Sequence, residues 1–303
     1  MPWIKEEHLY PVLVLLLIFI IAVRMPMDSD MWWHLKAGEE SLLSGKVYKV
    51  DTFSSSRSGE DWINHSWLSQ VVMALIYQAG DFMALSIWVA ATAVVSLGLV
   101  YLQMEGNPLL RSAVLVLAAI VSSVVWSPRP QIMSLLLLGL LSYILFIYRK
   151  RKNLLFLATI PFILALWGNL HGGYVLGLIY LGAFLAGEIF DRILLINEPN
   201  KPAELSWRDL GLILIALVIG FVLVLVNPYG IELWKLPFNT IGIETLQNLI
   251  NEWASPDFHQ AFQQPFLWML LGLLAVVSIS GKPIRGYRLV PSLIFSWACL
   301  LYT

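Results

Sequence analysis

Nine apolar runs separated by polar segments organise this sequence: residues 10–23, 82–104, 112–126, 132–148, 154–167, 174–190, 210–226, 266–280 and 289–302. Backbone in hydrocarbon must satisfy its own hydrogen bonds, and no ten-residue alternation of apolar and polar positions suggests a barrel, so the runs predict helices. Several fall near or below the ~17 residues at the short end for a bilayer span and would borrow flanking residues or be partly re-entrant. The pattern therefore predicts an all-α integral membrane protein with about nine transmembrane helices.

One polar segment, residues 24–81, is longer than the others and has its own periodicity. From Asp30, the residues Met31, Leu35, Gly38 and Leu42 recur at helical spacing, while Asp30 and His34 sit one turn apart on another face. Asp28 or Ser29 is the expected N-cap and Gly45 the expected end. A second surface helix is predicted from Trp67 to about Gln78, with Gly80 and Asp81 as the break before the second apolar run. Such helices lie along a membrane surface with their tryptophans at headgroup depth. The first apolar run lacks a small-residue cleavage site and reads as a retained helix rather than a signal peptide. No fixed-period repeat interrupts the chain, so residues 1–303 are expected to form one domain.

Composition agrees: 58% of the 303 residues are hydrophobic and 13% are charged, against about 25% charged in a soluble domain. The mean hydropathy is +0.75. The single cysteine, Cys299, excludes an intramolecular disulfide and a cysteine metal cluster. No basic patch interleaved with aromatics argues for nucleic acid. Arg149-Lys150-Arg151-Lys152 is the strongest orientation signal and belongs in the cytoplasm. Strict alternation then places twelve of the 19 basic residues on that face, with the N-terminus inside and residues 24–81 outside the cytoplasmic membrane. The chain ends within an apolar run at Tyr302-Thr303, which suggests a fragment.

The outer face collects the chemistry, including four of the five histidines, His34, His65, His171 and His259. Glycosyl transfer from a lipid phosphate needs a base for the acceptor hydroxyl and a cation for the departing phosphate. Asp28 and Asp30, with His34 in reach, fit the base or a divalent-metal site. Arg129, between Pro128 and Pro130, fits a bidentate phosphate clamp. His65 and His171 are further donors, and Gly172 and Gly173 would let a headgroup approach the backbone. Each residue also has a plainer reading: Asp28 and Asp30 as helix caps, the tryptophans as interfacial anchors, Arg129 as a snorkelling side chain, and His171 in helix packing. Asn227-Pro228-Tyr229-Gly230 is most simply a turn, and Glu252, Asp257 and His259 read as surface polarity before metal ligands. Their shared face, more than any one residue, points to a site.

Asp28-Ser29-Asp30-Met31-Trp32-Trp33-His34-Leu35, Asp51-Thr52-Phe53-Ser54, His65-Ser66-Trp67-Leu68, Arg129-Pro130-Gln131, Asn169-Leu170-His171-Gly172-Gly173, Asn227-Pro228-Tyr229-Gly230 and Glu252-Trp253-Ala254-Ser255-Pro256 together resemble the GT-C superfamily of polyprenyl-phosphate-sugar-dependent glycosyltransferases. That superfamily includes the protein O-mannosyltransferases and the lipid A aminoarabinose transferases. The resemblance runs over residues 1–259 and implies an inverting transferase with its base at Asp28 or Asp30. In some members a divalent metal takes part; Mg or Mn here would be held by Asp28, Asp30 and His34. It further implies substrate contacts from His34, His65, Arg129, Gln131, Asn169 and His171, and an extracytoplasmic glycan, lipid or protein as acceptor. A polymerase or ligase of lipid-linked glycans would instead depend on a basic pocket and not on the aspartates. An inactive scaffold is a further alternative, and so is a transporter. A transporter would carry charge at mid-membrane, whereas Glu188 and Asp191 fall at a cytoplasmic end.

Overall fold

A computed structural model describes residues 6–24, 28–193, 205–241, 256–279 and 284–301. Among these, eleven α-helices and one short 3-10 turn account for nearly all regular structure. They are α1 (Glu6–Ala22), α2 (Ser29–Ser44), α3 (Trp67–Tyr101), α4 (Pro108–Ser122), α5 (Gln131–Arg151), α6 (Leu154–Leu170), α7 (Tyr174–Ile193), α8 (Trp207–Leu223), α9 (Glu232–Ile241), α10 (Gln264–Ile279) and α11 (Gly286–Leu301). The all-α expectation holds. The expected nine spans do not: four helical segments, Trp67–Tyr101, Pro108–Val125, Gln131–Arg151 and Tyr174–Ile193, are long and apolar enough to cross a membrane. The reason lies in where the helices stop. α6 starts at its Asn153 cap and ends just before Gly172 and Gly173, α8 begins at a Ser206–Asp209 capping box, and each has 17 residues. At 1.5 Å per residue such helices reach about 25 Å, short of a hydrocarbon core of about 30 Å. Four helices able to cross are what a multi-pass membrane protein requires. Its exposed apolar side chains agree, with Leu13, Leu17 and Ile20 on α1 and Ile215, Val218 and Val222 on α8 all turned outward.

Two apolar clusters hold the helices together. The larger joins α5, α6, α7 and α8 around Trp167, Tyr148 and Tyr174, all fully buried. The other joins α1, α3 and α4 through Ile18, Val89, Leu97 and Leu115. A small third cluster of Met31, Leu35, Met73 and Leu85 seats α2 on α3. There Gly38 meets the main chain of Gln70 so closely that a Cβ would stand 2.1 Å from the Gln70 carbonyl oxygen. The α2 limits match those read from sequence, with Asp28 as N-cap and Gly45 at φ +65° as C-cap. The break expected before the second apolar run is also present, since Gly80 and Asp81 leave helical geometry and divide α3 into a shorter first segment and a longer apolar one.

The direction of α5 sets the ends of the bundle. Arg129 and Gln131 stand at its N-terminal end, while Arg149, Lys150 and Arg151 form its last turn. α5 is 21 residues long, so its two ends stand about 30 Å apart. At the basic end, Arg149 donates to the buried Glu188 at 2.7 Å and lies over the Tyr287 ring, while Lys152 and Tyr148 hold Asp209. The buried Asp191 accepts the Gly286 N–H at 2.7 Å, which pins α11 to α7.

Candidate functional site

The opposite end of α5 is where four distant segments meet. Asp28 is spent partly on architecture, its Oδ1 accepting the Asp30 N–H at 2.9 Å to cap α2. Arg129 comes from the loop before α5 and reaches both carboxylates. Its Nη2 lies 2.8 Å from Asp30 Oδ2 and its Nη1 lies 3.7 Å from Asp28 Oδ2. The Asp30 side chain is 40% exposed against 15% for Asp28, so Asp30 is the carboxylate a solute can reach.

Three imidazoles surround this ion pair. His34, one turn after Asp30, is buried, and its Nδ1 faces the Gln70 amide at 3.1 Å; Gln70 in turn receives the Asn64 amide at 2.6 Å. His65 precedes α3 and lies against Gly172, whose missing Cβ would sit 3.3 Å from the ring. His171 follows α6, with its ring centroid 6.2 Å from that of His65. Its Nδ1 receives the Gly173 N–H at 3.0 Å and pairs with Ser134 Oγ at 2.7 Å, and Ser134 Oγ receives the Trp167 indole N–H at 2.8 Å. Burial pushes all three imidazoles below their ordinary value, to about 2 for His34, about 4 for His65 and about 3 for His171. The Arg129 guanidinium and the neighbouring imidazoles depress His34 and His171 further. Among the described residues, the three imidazoles of the cluster are thus uncharged at neutral pH beside the Arg129 ion pairs.

The side chains of the expected divalent-metal set, Asp28, Asp30 and His34, are engaged within the protein in this structure. Both carboxylates face Arg129, His34 Nδ1 faces an amide donor, and among the described residues no three His, Cys, Asp or Glu side chains are grouped to hold a metal ion. Two further expected substrate contacts are Asn169 and Gln131. The Asn169 Oδ1 accepts from Trp67 and Asn227 while its Nδ2 donates to the Ala165 and Val226 carbonyls. Gln131 opens α5 half-buried, and no side-chain hydrogen bond ties it to the cluster among the described residues. Asn227 to Gly230 is the expected turn, with Gly230 at φ +52°. Asp257 pairs locally with the exposed His259 at 3.0 Å, and Glu252 lies outside the described residues.

Sequence reasoning missed Gln70, Asn64, Ser134 and Trp167, which orient the histidines. Their signal was weak: one polar residue in an apolar helix, or one tryptophan near a helix end, reads as packing. The tryptophans divide their duties. Trp32 is exposed and meets Phe82 edge-on, whereas Trp33 turns to the loop between α2 and α3 and packs with His34, Trp62 and, through Trp62, Phe53. Comparison with protein-family models, with curated proteins and with solved structures finds no match to this chain.

Proposed function

We propose that this protein is a membrane glycosyltransferase that moves a sugar from a polyprenyl-phosphate carrier to an acceptor hydroxyl at the extracytoplasmic face. The observation that carries the reading is the convergence of Asp30, Arg129, His34, His65 and His171 at the end of the bundle opposite the basic turn of α5. Positive-inside bias puts that basic turn in the cytoplasm, and so the cluster outside. Asp30 takes the proton of the acceptor hydroxyl as its oxygen attacks the anomeric carbon, inverting it. The bond from that carbon to the phosphate oxygen breaks, and the polyprenyl phosphate leaves with the electron pair. Arg129, already within reach of Asp30, exchanges a carboxylate for the phosphate and stabilises its charge through charge-assisted hydrogen bonds. Asp28, held as the cap of α2, orients Asp30 rather than taking the proton.

Purified protein in liposomes, supplied with radiolabelled polyprenyl-phosphate sugars and a membrane extract as acceptor source, tests the reading. Label should move from the lipid to a second product. Label that stays on the carrier with every donor, while the protein remains folded, would overturn it.

A further inference from the structure

His171 carries a second message in the direction of its hydrogen bonds. A main-chain amide can only donate, so the Gly173 N–H aimed at Nδ1 from 3.0 Å requires a lone pair there. Ser134 Oγ, 2.7 Å from the same nitrogen, already receives the Trp167 N–H, which leaves its own proton for Nδ1. Two donors therefore converge on one ring nitrogen, and the ring's single proton sits on Nε2. The position of Gly173 is part of the device, because a Cβ there would stand 2.3 Å from Ser134 Oγ.

We propose that Trp167, Ser134 and Gly173 are positioning residues that lock His171 as its Nε2–H tautomer, a fixed hydrogen-bond donor to a phosphate oxyanion. Metal-ligating histidines usually show the reverse arrangement, giving their second N–H to a carboxylate or carbonyl acceptor. Proton uptake at Nδ1 would set an N–H against the Gly173 N–H, lose that bond and force the Ser134 hydroxyl to turn, so the ring is equally unsuited to act as a base. His34 has the same wiring from an unrelated part of the chain, with the Gln70 amide donating to its Nδ1 and held by Asn64. Both imidazoles thus join Arg129 as hydrogen-bond donors beside Asp28 and Asp30, and such a group of donors suits a phosphate oxyanion. The assignment of this phosphate to a lipid carrier rests on the proposed function; the tautomer does not.

The test is long-range proton–nitrogen NMR on the full chain in micelles with ¹⁵N-histidine, His171 being assigned by its loss in His171→Gln. A protonated Nε2 and bare Nδ1 at pH 7, persisting at pH 5, is the expected result; a protonated Nδ1 or an imidazolium at pH 7 overturns the proposal. Ser134→Ala and Trp167→Phe should yield mixed tautomers in a protein of unchanged helix content, and a pure Nε2–H signal in both would remove their positioning role. Inorganic phosphate and farnesyl phosphate are then titrated in turn. A shift of the Nε2–H signal by both marks recognition of the phosphate itself, and a shift by farnesyl phosphate alone marks a lipid-borne headgroup. Either supports the donor role, and Ser134→Ala should weaken the response roughly three- to tenfold, the worth of about one hydrogen bond. No shift with either probe overturns it. A locked tautomer and bound phosphate without sugar transfer would sink the glycosyltransferase reading and leave this one standing.

Discussion

Gly38→Ala is a one-methyl change whose effect should travel from packing to chemistry. Gly38 is on α2 where that helix crosses the start of α3, and the added Cβ would stand 2.1 Å from the Gln70 carbonyl oxygen and 2.6 Å from its carbon. Ordinary contact begins near 3.4 Å, so α2 must retreat by about 1 Å or the Gln70 backbone must yield; overpacking of this kind costs about 1–3 kcal/mol. Gln70 also orients His34, so the shift stretches the 3.1 Å bond between them and moves Asp30 away from Arg129. That adds about 1 kcal/mol for the strained hydrogen bonds. Gly98→Ala on α3 is the control, since nothing lies within 4 Å of its Cβ position; it should be neutral or stabilising by about 0.5–1 kcal/mol. Thermal unfolding in detergent, followed by circular dichroism, reads both variants. A Gly38→Ala protein as stable as Gly98→Ala would refute the tight crossing and the placement of His34 that depends on it.

Asp30→Asn should reduce sugar transfer by about a hundredfold or more, as expected for loss of a general base, while Asp28→Asn should change it far less because asparagine is also a good N-cap; initial rates with saturating donor compare the two. His65 and His171 titrate near 4 and 3 in the folded protein and at about 6.5 when unfolded, so the unfolded state binds more protons between those values. Their contribution is complete above about pH 6.5 and declines by about 1.4 kcal/mol per pH unit for each ring as the pH falls toward 4. Melting curves from pH 7.5 to 4.5 should flatten in His65→Gln. At the basic end, Arg149→Met removes the 2.7 Å guanidinium partner of the buried Glu188 and should cost up to about 3–5 kcal/mol, with Arg149→Met/Glu188→Leu recovering much of it in denaturant titrations.

The features legible in the sequence were those governed by local chemistry. Asp28 and Gly45 mark the ends of α2 because a capping carboxylate and a left-handed glycine are needed there whatever surrounds them, and Gly80-Asp81 breaks α3 for a similar reason. The shared face of Asp28, Asp30, His34, His65, Arg129 and His171 was legible through alternation of apolar runs and basic loops, which fixes ends though not distances. Span number was not, because an apolar run does not show how long its helix will be, and α6 and α8 each close at 17 residues. The donor network was hidden for a different reason. Ser134, Gln70 and Trp167 acquire meaning only when α3, α5 and α6 bring them to a histidine, and a contact between residues 134 and 171 leaves no periodicity. For the same reason, sequence could not show that Arg129 reaches the two carboxylates.

The central claim is that Asp30 and Arg129, 99 positions apart in the chain, serve one reaction centre. A double-mutant cycle on the turnover of polyprenyl-phosphate sugar, with Asp30→Asn, Arg129→Gln and the pair together, tests it most directly. A single centre predicts that the double variant loses far less than the product of the two single losses, by tenfold or more as a rough bound. Losses that simply multiply would contradict the account.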